Sequence, residues 1–184
     1  TAIPLNNCPL VSETINVQFA DPVMVDVGAD GLICEGENFD ILGAVTNAQN
    51  YFWTTSGDGM FVNGNTTEPT YIPGPLDINS GLVIITLNAD QTNSCQNIAS
   101  DSLLLTITKE AIADAGPSSD TICGGDVYPL NGVAINYITL EWTTTGDGVF
   151  GNPGSLMTFY DPGVNDISNG FVTLTLVAIG GIPC

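Results

Sequence analysis

The chain has 184 residues, 20 of them acidic, against one basic residue, Lys109, and no histidine; the formal net charge is −19, yet only 11% of residues are charged and 43% are hydrophobic. That much apolar content excludes a disordered polyelectrolyte, and a single cation cannot neutralise a row of phosphates or an anionic bilayer, so nucleic acid and lipid surfaces are excluded as partners. No apolar run reaches about 18 residues, so no membrane insertion is expected; no signal peptide opens the chain, which reads as a piece of a longer precursor.

In chain order the elements are strands. Residues 1–20 read as the tail of an earlier repeat, with Ile15-Asn16-Val17-Gln18-Phe19 as its last strand. Ala20-Asp21-Pro22 is a short linker. Then follow Val23–Val27, Phe39–Leu42, Tyr51–Thr55, a Gly57-Asp58-Gly59 turn, Met60–Val62, Thr70–Ile72 ending at Pro73-Gly74, Leu82–Leu87 and Ser102–Thr108. Lys109-Glu110-Ala111 is the next linker. Seven short β-forming runs punctuated by Gly, Pro and Asn predict an antiparallel sandwich. No stretch carries apolar residues at helical spacing over helix length.

The same order then repeats. Residues 34–95 align without a gap on 123–184 at an offset of 89, with about 23 of 62 positions identical. Cys34, Trp53 and Cys95 fall on Cys123, Trp142 and Cys184, and Asp77-Ile78 and Gly81 fall on Asp166-Ile167 and Gly170. Residues 12–28 follow 100–116 at an offset of 88. The expected organisation is residues 1–20 as the last strand of a preceding repeat, 21–109 as one repeat, and 110–184 as a second repeat lacking its last strand. Short linkers make neighbouring repeats abut. The core candidates are Trp53, Phe61, Tyr71, Val83, Ile85 and Leu87, with Trp142, Phe150, Tyr160, Val172, Leu174 and Leu176 in the second repeat.

The missing side chains narrow the chemistry. Without histidine there is no Ser-His-Asp triad, Cys-His pair or imidazole ligand. A carboxylate pair could hydrolyse a glycoside, but twenty acids always offer some pair, and a solvated surface accounts for them. The chain is read as a non-enzyme without a resident cofactor. Asp58 and Asp147, each in Gly-Asp-Gly, are the candidates for calcium, which takes carboxylate and carbonyl oxygens; the competing reading is a turn whose Asp accepts backbone N–H bonds. Trp53 and Trp142 could stack on sugars, although a Trp at this place in a sandwich ordinarily pins the core.

The five cysteines, Cys8, Cys34, Cys95, Cys123 and Cys184, are widely spaced, which argues for disulfides over metal. One register seals each repeat, Cys34–Cys95 and Cys123–Cys184. The other, Cys34–Cys184, staples the joint between repeats, leaving the remaining three to partners elsewhere. The requirement for Cα atoms within about 7 Å favours the joint if Cys34 and Cys95 lie at opposite poles; a one-strand miscount returns the first register.

Several motifs in fixed order carry a resemblance: Ala113-Asp114-Ala115-Gly116-Pro117, Thr121-Ile122-Cys123, the run from Trp142 to Phe150, Tyr160-Asp161-Pro162-Gly163, and Asn169 to Leu176. Together they resemble the PKD-like, immunoglobulin-like repeats of giant surface proteins of Bacteroidota, among them the gliding-motility adhesins exported by type IX secretion. The resemblance implies an all-β fold of tandem immunoglobulin-like (PKD-like) antiparallel β-sandwiches, placed outside the cell at its surface. The function implied is that of spacer repeats in a long adhesin or filament serving surface adhesion and gliding. Its partners would be neighbouring repeats and surface glycans or polysaccharide. The same repeats occur as spacers in secreted enzymes, so a carbohydrate-binding or spacer module is the alternative; a strand-exchanging fibre subunit is another. Asp101-Ser102-Leu103 and Asp120-Thr121-Ile122 resemble the Asp-Ser/Thr-aliphatic O-glycan acceptor of that group, making Ser102 and Thr121 modification candidates.

Overall fold

A computed structural model describes residues 12–19, 21–90 and 98–184. Nine strands and one short helix make up the first half: β1 (Met24–Asp26), β2 (Gly31–Cys34), β3 (Phe39–Asp40), β4 (Ala44–Thr46), β5 (Asn50–Thr55), β6 (Met60–Val62), β7 (Thr70–Ile72), α1 (Pro75–Ser80), β8 (Leu82–Asp90) and β9 (Ile98–Thr108). A four-stranded sheet in the order β2-β9-β8-β5 faces a three-stranded sheet β3-β7-β6, with β1 and β4 paired beside them. The alternating inward residues of both sheets make one core. Tyr71, Val83, Ile85, Leu87, Leu103 and Leu105 are buried within it, and Trp53 is 8% exposed. Trp53, Phe61 and Tyr71 form an aromatic ladder with centroids 5.8 and 5.0 Å apart, a tilted geometry favourable to ring quadrupoles.

The second half continues with β10 (Ile112–Asp114), β11 (Tyr128–Asn131), β12 (Val133–Ile135), β13 (Tyr137–Thr144), β14 (Val149–Phe150), β15 (Met157–Asp161), α2 (Val164–Asn169) and β16 (Leu174–Gly180). β11-β15-β14 is the counterpart of β3-β7-β6, and β10-β12 of β1-β4. Trp142, Phe150 and Tyr160 repeat the ladder at 6.4 and 4.9 Å. The chain is thus all-β, in mostly antiparallel sheets, as expected.

Three features depart from the sequence reading. β2 pairs in parallel with β9, Ile33 opposite Ile107, because both strands run toward the same pole and β2 closes the free edge of β9. Gly31–Cys34 and Ala44–Thr46 are strands that the pattern did not show: the first opens on a glycine and the second lies between Gly43 and Asn47, residue types that read as turns. α1 and α2, six residues each, are too short for helical periodicity and stand on their caps. Gly74 and Gly163 are the N-caps, and Gly81 and Gly170 close the C-termini at φ 75° and 79°.

The two halves differ in one respect that governs the rest. In the first, β8 lies between β5 and β9; in the second, β13-β16 is a two-stranded sheet. Among the described residues nothing occupies the place of β9 beside β16. Residues 82–84 are held in β8 by Thr106, Leu105 and Leu104. Their counterparts, residues 171–173, form no strand. Ile33 of β2 is 6% exposed, whereas its counterpart Ile122 is 38% exposed and outside any strand. The second core accordingly has only Leu130, Trp142, Tyr160 and Leu176 fully buried, with Val172, Leu174 and Phe150 partly covered. Residues 12–19, read from sequence as a last strand, are exposed and form none here; residues 1–11 and 20 fall outside the described residues.

The like-for-like test is Val83→Ala against Val172→Ala. The first removes atoms from a closed core and is expected to cost about 2 kcal/mol; the second, at a half-covered position, less than about 1 kcal/mol. Urea denaturation of each variant reads the difference.

Candidate functional site

Two constructions stand out: a joint between the halves and an acidic corner built twice. The joint centres on Cys34 and Cys184, which form a disulfide with Cα atoms 5.3 Å apart. Cys34 reaches the joint because β2 runs beside the end of β9, where it pairs with Thr108. Glu35 N–H donates to Thr108 O at 2.8 Å, and Thr108 Oγ1 donates to Ile182 O at 3.0 Å. Cys184 Sγ also lies 3.2 Å from Thr108 O; being disulfide-bonded, this sulfur has no proton, so the approach is a packing contact. The linker between β9 and β10 is held as well: Asn136 Nδ2 donates to Glu110 O at 3.0 Å, from a residue at φ 57°. Asn47, at φ 60°, makes the same latch to Pro22 O at 2.9 Å, and Asn accepts this left-handed conformation better than other side chains. Lys109 Nζ donates to Asn79 Oδ1 at 3.2 Å, tying the linker back to α1.

The acidic corner explains Gly-Asp-Gly. Asp77, 1% exposed, accepts four donors: Gly59 N–H at 3.0 Å, Gly74 N–H at 3.1 Å, Tyr71 O–H at 2.6 Å and Asp58 N–H at 3.2 Å. The phenol proton goes to Asp77, so in the 2.8 Å contact with Thr55 Oγ1 the threonine is the donor. Gly74 has no side chain to cap α1, and Asp58 supplies the cap from the neighbouring turn: its Oδ1 accepts Leu76 N–H at 3.0 Å and Asp77 N–H at 3.3 Å. An acceptor carboxylate there satisfies orphan helix donors and meets the positive end of the helix. The second half repeats the corner, with Asp166 accepting from Gly148, Gly163, Tyr160 and Asp147, and Asp147 accepting from Asn165 and Asp166.

Close approach leaves no room for a side chain at three glycines in each corner, Gly57, Gly59 and Gly74 in the first and Gly146, Gly148 and Gly163 in the second. A Cβ on Gly57 would lie 1.4 Å from Asp77 Oδ1, and one on Gly74 2.2 Å from Asp58 Oδ1. Burial first, and then the bond to Asp77, pushes the Tyr71 phenol up to about 12. Tyr160 is raised for the same reasons, burial and then Asp166. The Asp166 carboxyl is held below its ordinary value by the Tyr160 hydrogen bond first and then by backbone N–H groups.

The other predicted residues take these places. The carboxylates of Asp58 and Asp147, the calcium candidates, are engaged by the helix termini, and among the described residues no group of three His, Cys, Asp or Glu could hold a metal. Trp53 and Trp142 are core residues whose Nε1–H groups donate to Thr66 O and Ser155 O, both at 3.0 Å. Cys123 is an exposed free thiol; Cys8 and Cys95 lie outside the described residues. Ser102 is exposed on β9, its Oγ 2.8 Å from Thr86 Oγ1. Thr121 is exposed beside Asp120, whose Oδ1 accepts its N–H at 2.7 Å. Asp77 and Asp166 had no role assigned from sequence, although their recurrence with Gly81 and Gly170 was the available signal.

No protein-family model matches this chain, and no curated protein matches it. Among solved structures, the D00-D0 domain of intimin is similar at 13% identity and TM-score 0.44, over 77% of this chain and 86% of that one. Protocadherin gamma B2 extracellular cadherin domains 3–6 are similar at 10% identity and TM-score 0.46, over 86% and 47%. The insect immune protein hemolin is similar at 12% identity and TM-score 0.44, over 84% and 45%. The chain thus spans about half the length of the last two.

Asp77→Ala would strand four donors and is expected to destabilise the protein by about 3–5 kcal/mol in urea titrations. The pH dependence has a definite sign. Tyr71 titrates near 10 when unfolded and at about 12 when folded, so its contribution is full below pH about 10 and lost as pH rises toward 12. Asp166 contributes above the ordinary carboxylate range and loses that contribution as pH falls through its lowered value. Tyr71→Phe should flatten the alkaline slope between pH about 10 and 12 in thermal melts; an unchanged slope would refute the assignment.

Proposed function

We propose that residues 21–109 and 110–184 are consecutive spacer repeats of an extracellular rod, a surface adhesin or filament that carries load through its joints. The single observation behind this reading is the Cys34–Cys184 bond, which crosses from one half to the other where the linker is already latched by Asn136 and Lys109. A cross-link at that point fixes the angle between two bodies. Disulfides persist in oxidising compartments, which supports an extracellular setting. The acid-rich surface, with a net charge of −19, keeps long arrays soluble and apart from one another. The resemblance to gliding-type surface repeats supports adhesion as the setting, with neighbouring repeats as partners and surface glycans as the substrate of attachment. The carboxylates of both acidic corners accept internal hydrogen bonds, which suits a mechanical element better than a catalytic one.

Cys34 and Cys184 enclose 150 residues of sequence, so force applied to the chain ends bypasses everything between them. Pulled in a single-molecule instrument, the oxidised chain should release at most about 120 Å of contour, the part preceding Cys34, while the reduced chain should approach about 660 Å. Identical traces with and without reductant would defeat the load-bearing reading.

A further inference from the structure

A sheet with one face on a core ordinarily turns polar side chains outward on the other. The four-stranded sheet β2-β9-β8-β5 departs from that rule. Ile84 on β8 lies directly opposite Leu104 on β9, and Thr106 is flanked by Leu82 on one side and Leu32 on the other. These four aliphatic side chains face outward and are between 39% and 52% exposed. Farther along, Thr54, Thr86 and Ser102 stand in one row across the sheet. Beyond that row come Phe52 and Ile98, 53% and 77% exposed. No outward position within 52–56, 82–88 or 100–106 carries a charge. Asp101 turns the other way to accept Val27 N–H at 3.0 Å, and Asp30, at the rim, accepts Leu104 N–H at 2.8 Å. The four strands all lie within residues 31–108. The fold does not require the apolar residues: by the 89-residue offset Phe52 and Ile84 correspond to Glu141 and Thr173. Glu141 stands opposite Val177 as Phe52 stands opposite Asn88.

We propose that this face binds the same face of a second copy of the chain, giving a symmetric dimer with the two sheets face to face. Charge selects the occupant. Each copy carries −19, so two copies can approach closely only where neither presents carboxylates. This face is uncharged, and apolar enough to gain from leaving water. It is also self-complementary. A twofold axis lying between the sheets, across the strands at the level of Thr54, Thr86 and Ser102, sets Phe52 over Ser56, which borders Ile84. The same axis sets Ile98 over Thr106, between Leu32 and Leu82, and brings the hydroxyl rows of the two copies together. Four strands about 4.8 Å apart, over six residues rising about 3.4 Å each, give roughly 400 Å² of sheet per copy, about half the 800 Å² per partner of a standard interface, so the dimer is weak. The acids around the rim still repel across the interface, and salt that screens them strengthens the dimer. The inference goes beyond the load-bearing reading, whose test reads the disulfide within one chain.

The test uses the full chain. Sedimentation equilibrium should show a monomer–dimer equilibrium with a Kd on the order of 100 μM that tightens as salt is raised. Amide chemical-shift changes on dilution should map to β2, β5, β8 and β9, a readout that needs no variant. The double variant Phe52→Glu/Ile84→Thr takes the residues that the second half carries at these places. Its urea midpoint should therefore stay near the parent's while dimerisation weakens at least about tenfold. A chain monomeric up to about 1 mM, a folded double variant that dimerises like the parent, or dilution shifts confined to the second half would each overturn the proposal. Retention of a monomeric chain on an insoluble neutral polysaccharide, lost in the double variant, would assign the face to a glycan and overturn it as well.

Discussion

A β-strand in the middle of a sheet needs a partner on both edges, and the construction of this protein turns on where that requirement is met. β9 meets it in the first half. It pairs along its length with β8, takes β2 on its other edge, brings Leu103, Leu105 and Ile107 into the core, and receives Val27 N–H on Asp101 and donates Leu104 N–H to Asp30. Unpaired strand groups lose the ladder and expose apolar side chains. The second half shows the consequence, because the same sequence pattern there yields a shorter strand, a looser core and a Thr121-Ile122-Cys123 segment that belongs to no strand.

Against that difference, the acidic corner is constant. Its hydrogen bonds have nearly the same lengths in both halves, whether the core beside it is closed or open. The corner needs only the turn after β5 or β13, the tyrosine of β7 or β15, and the short helix that follows, all within about twenty residues of one another. Its stability is local, from reciprocal carboxylate bonds, while the sandwich depends on a strand far along the chain.

How much of this was legible in the sequence depended on range. Of the core candidates in the first repeat, Trp53, Tyr71, Val83, Ile85 and Leu87 are buried and Phe61 packs against them. The Gly-Asp-Gly turn was visible, and its Asp was expected to accept backbone N–H groups; that these belong to a helix terminus was not, since six residues from Pro75 to Ser80 give no periodicity. Asp77 stayed hidden because its donors come from separate turns that only the folded chain brings together. β2 stayed hidden because its one partner, β9, lies more than seventy residues away. For the disulfides, two registers were open from spacing alone; the structure joins Cys34 to Cys184 because β2 delivers Cys34 to the pole where the second half begins.

The central claim is that β9 completes the first half and that, among the described residues, nothing fills its place in the second. Residue-resolved amide exchange on a dilute, monomeric sample tests it most directly, by comparing Val83 in β8 with its counterpart Val172. The account predicts that Val83 exchanges only through global unfolding, while Val172 exchanges within about tenfold of the free-peptide rate. Equal protection at the two positions would contradict it.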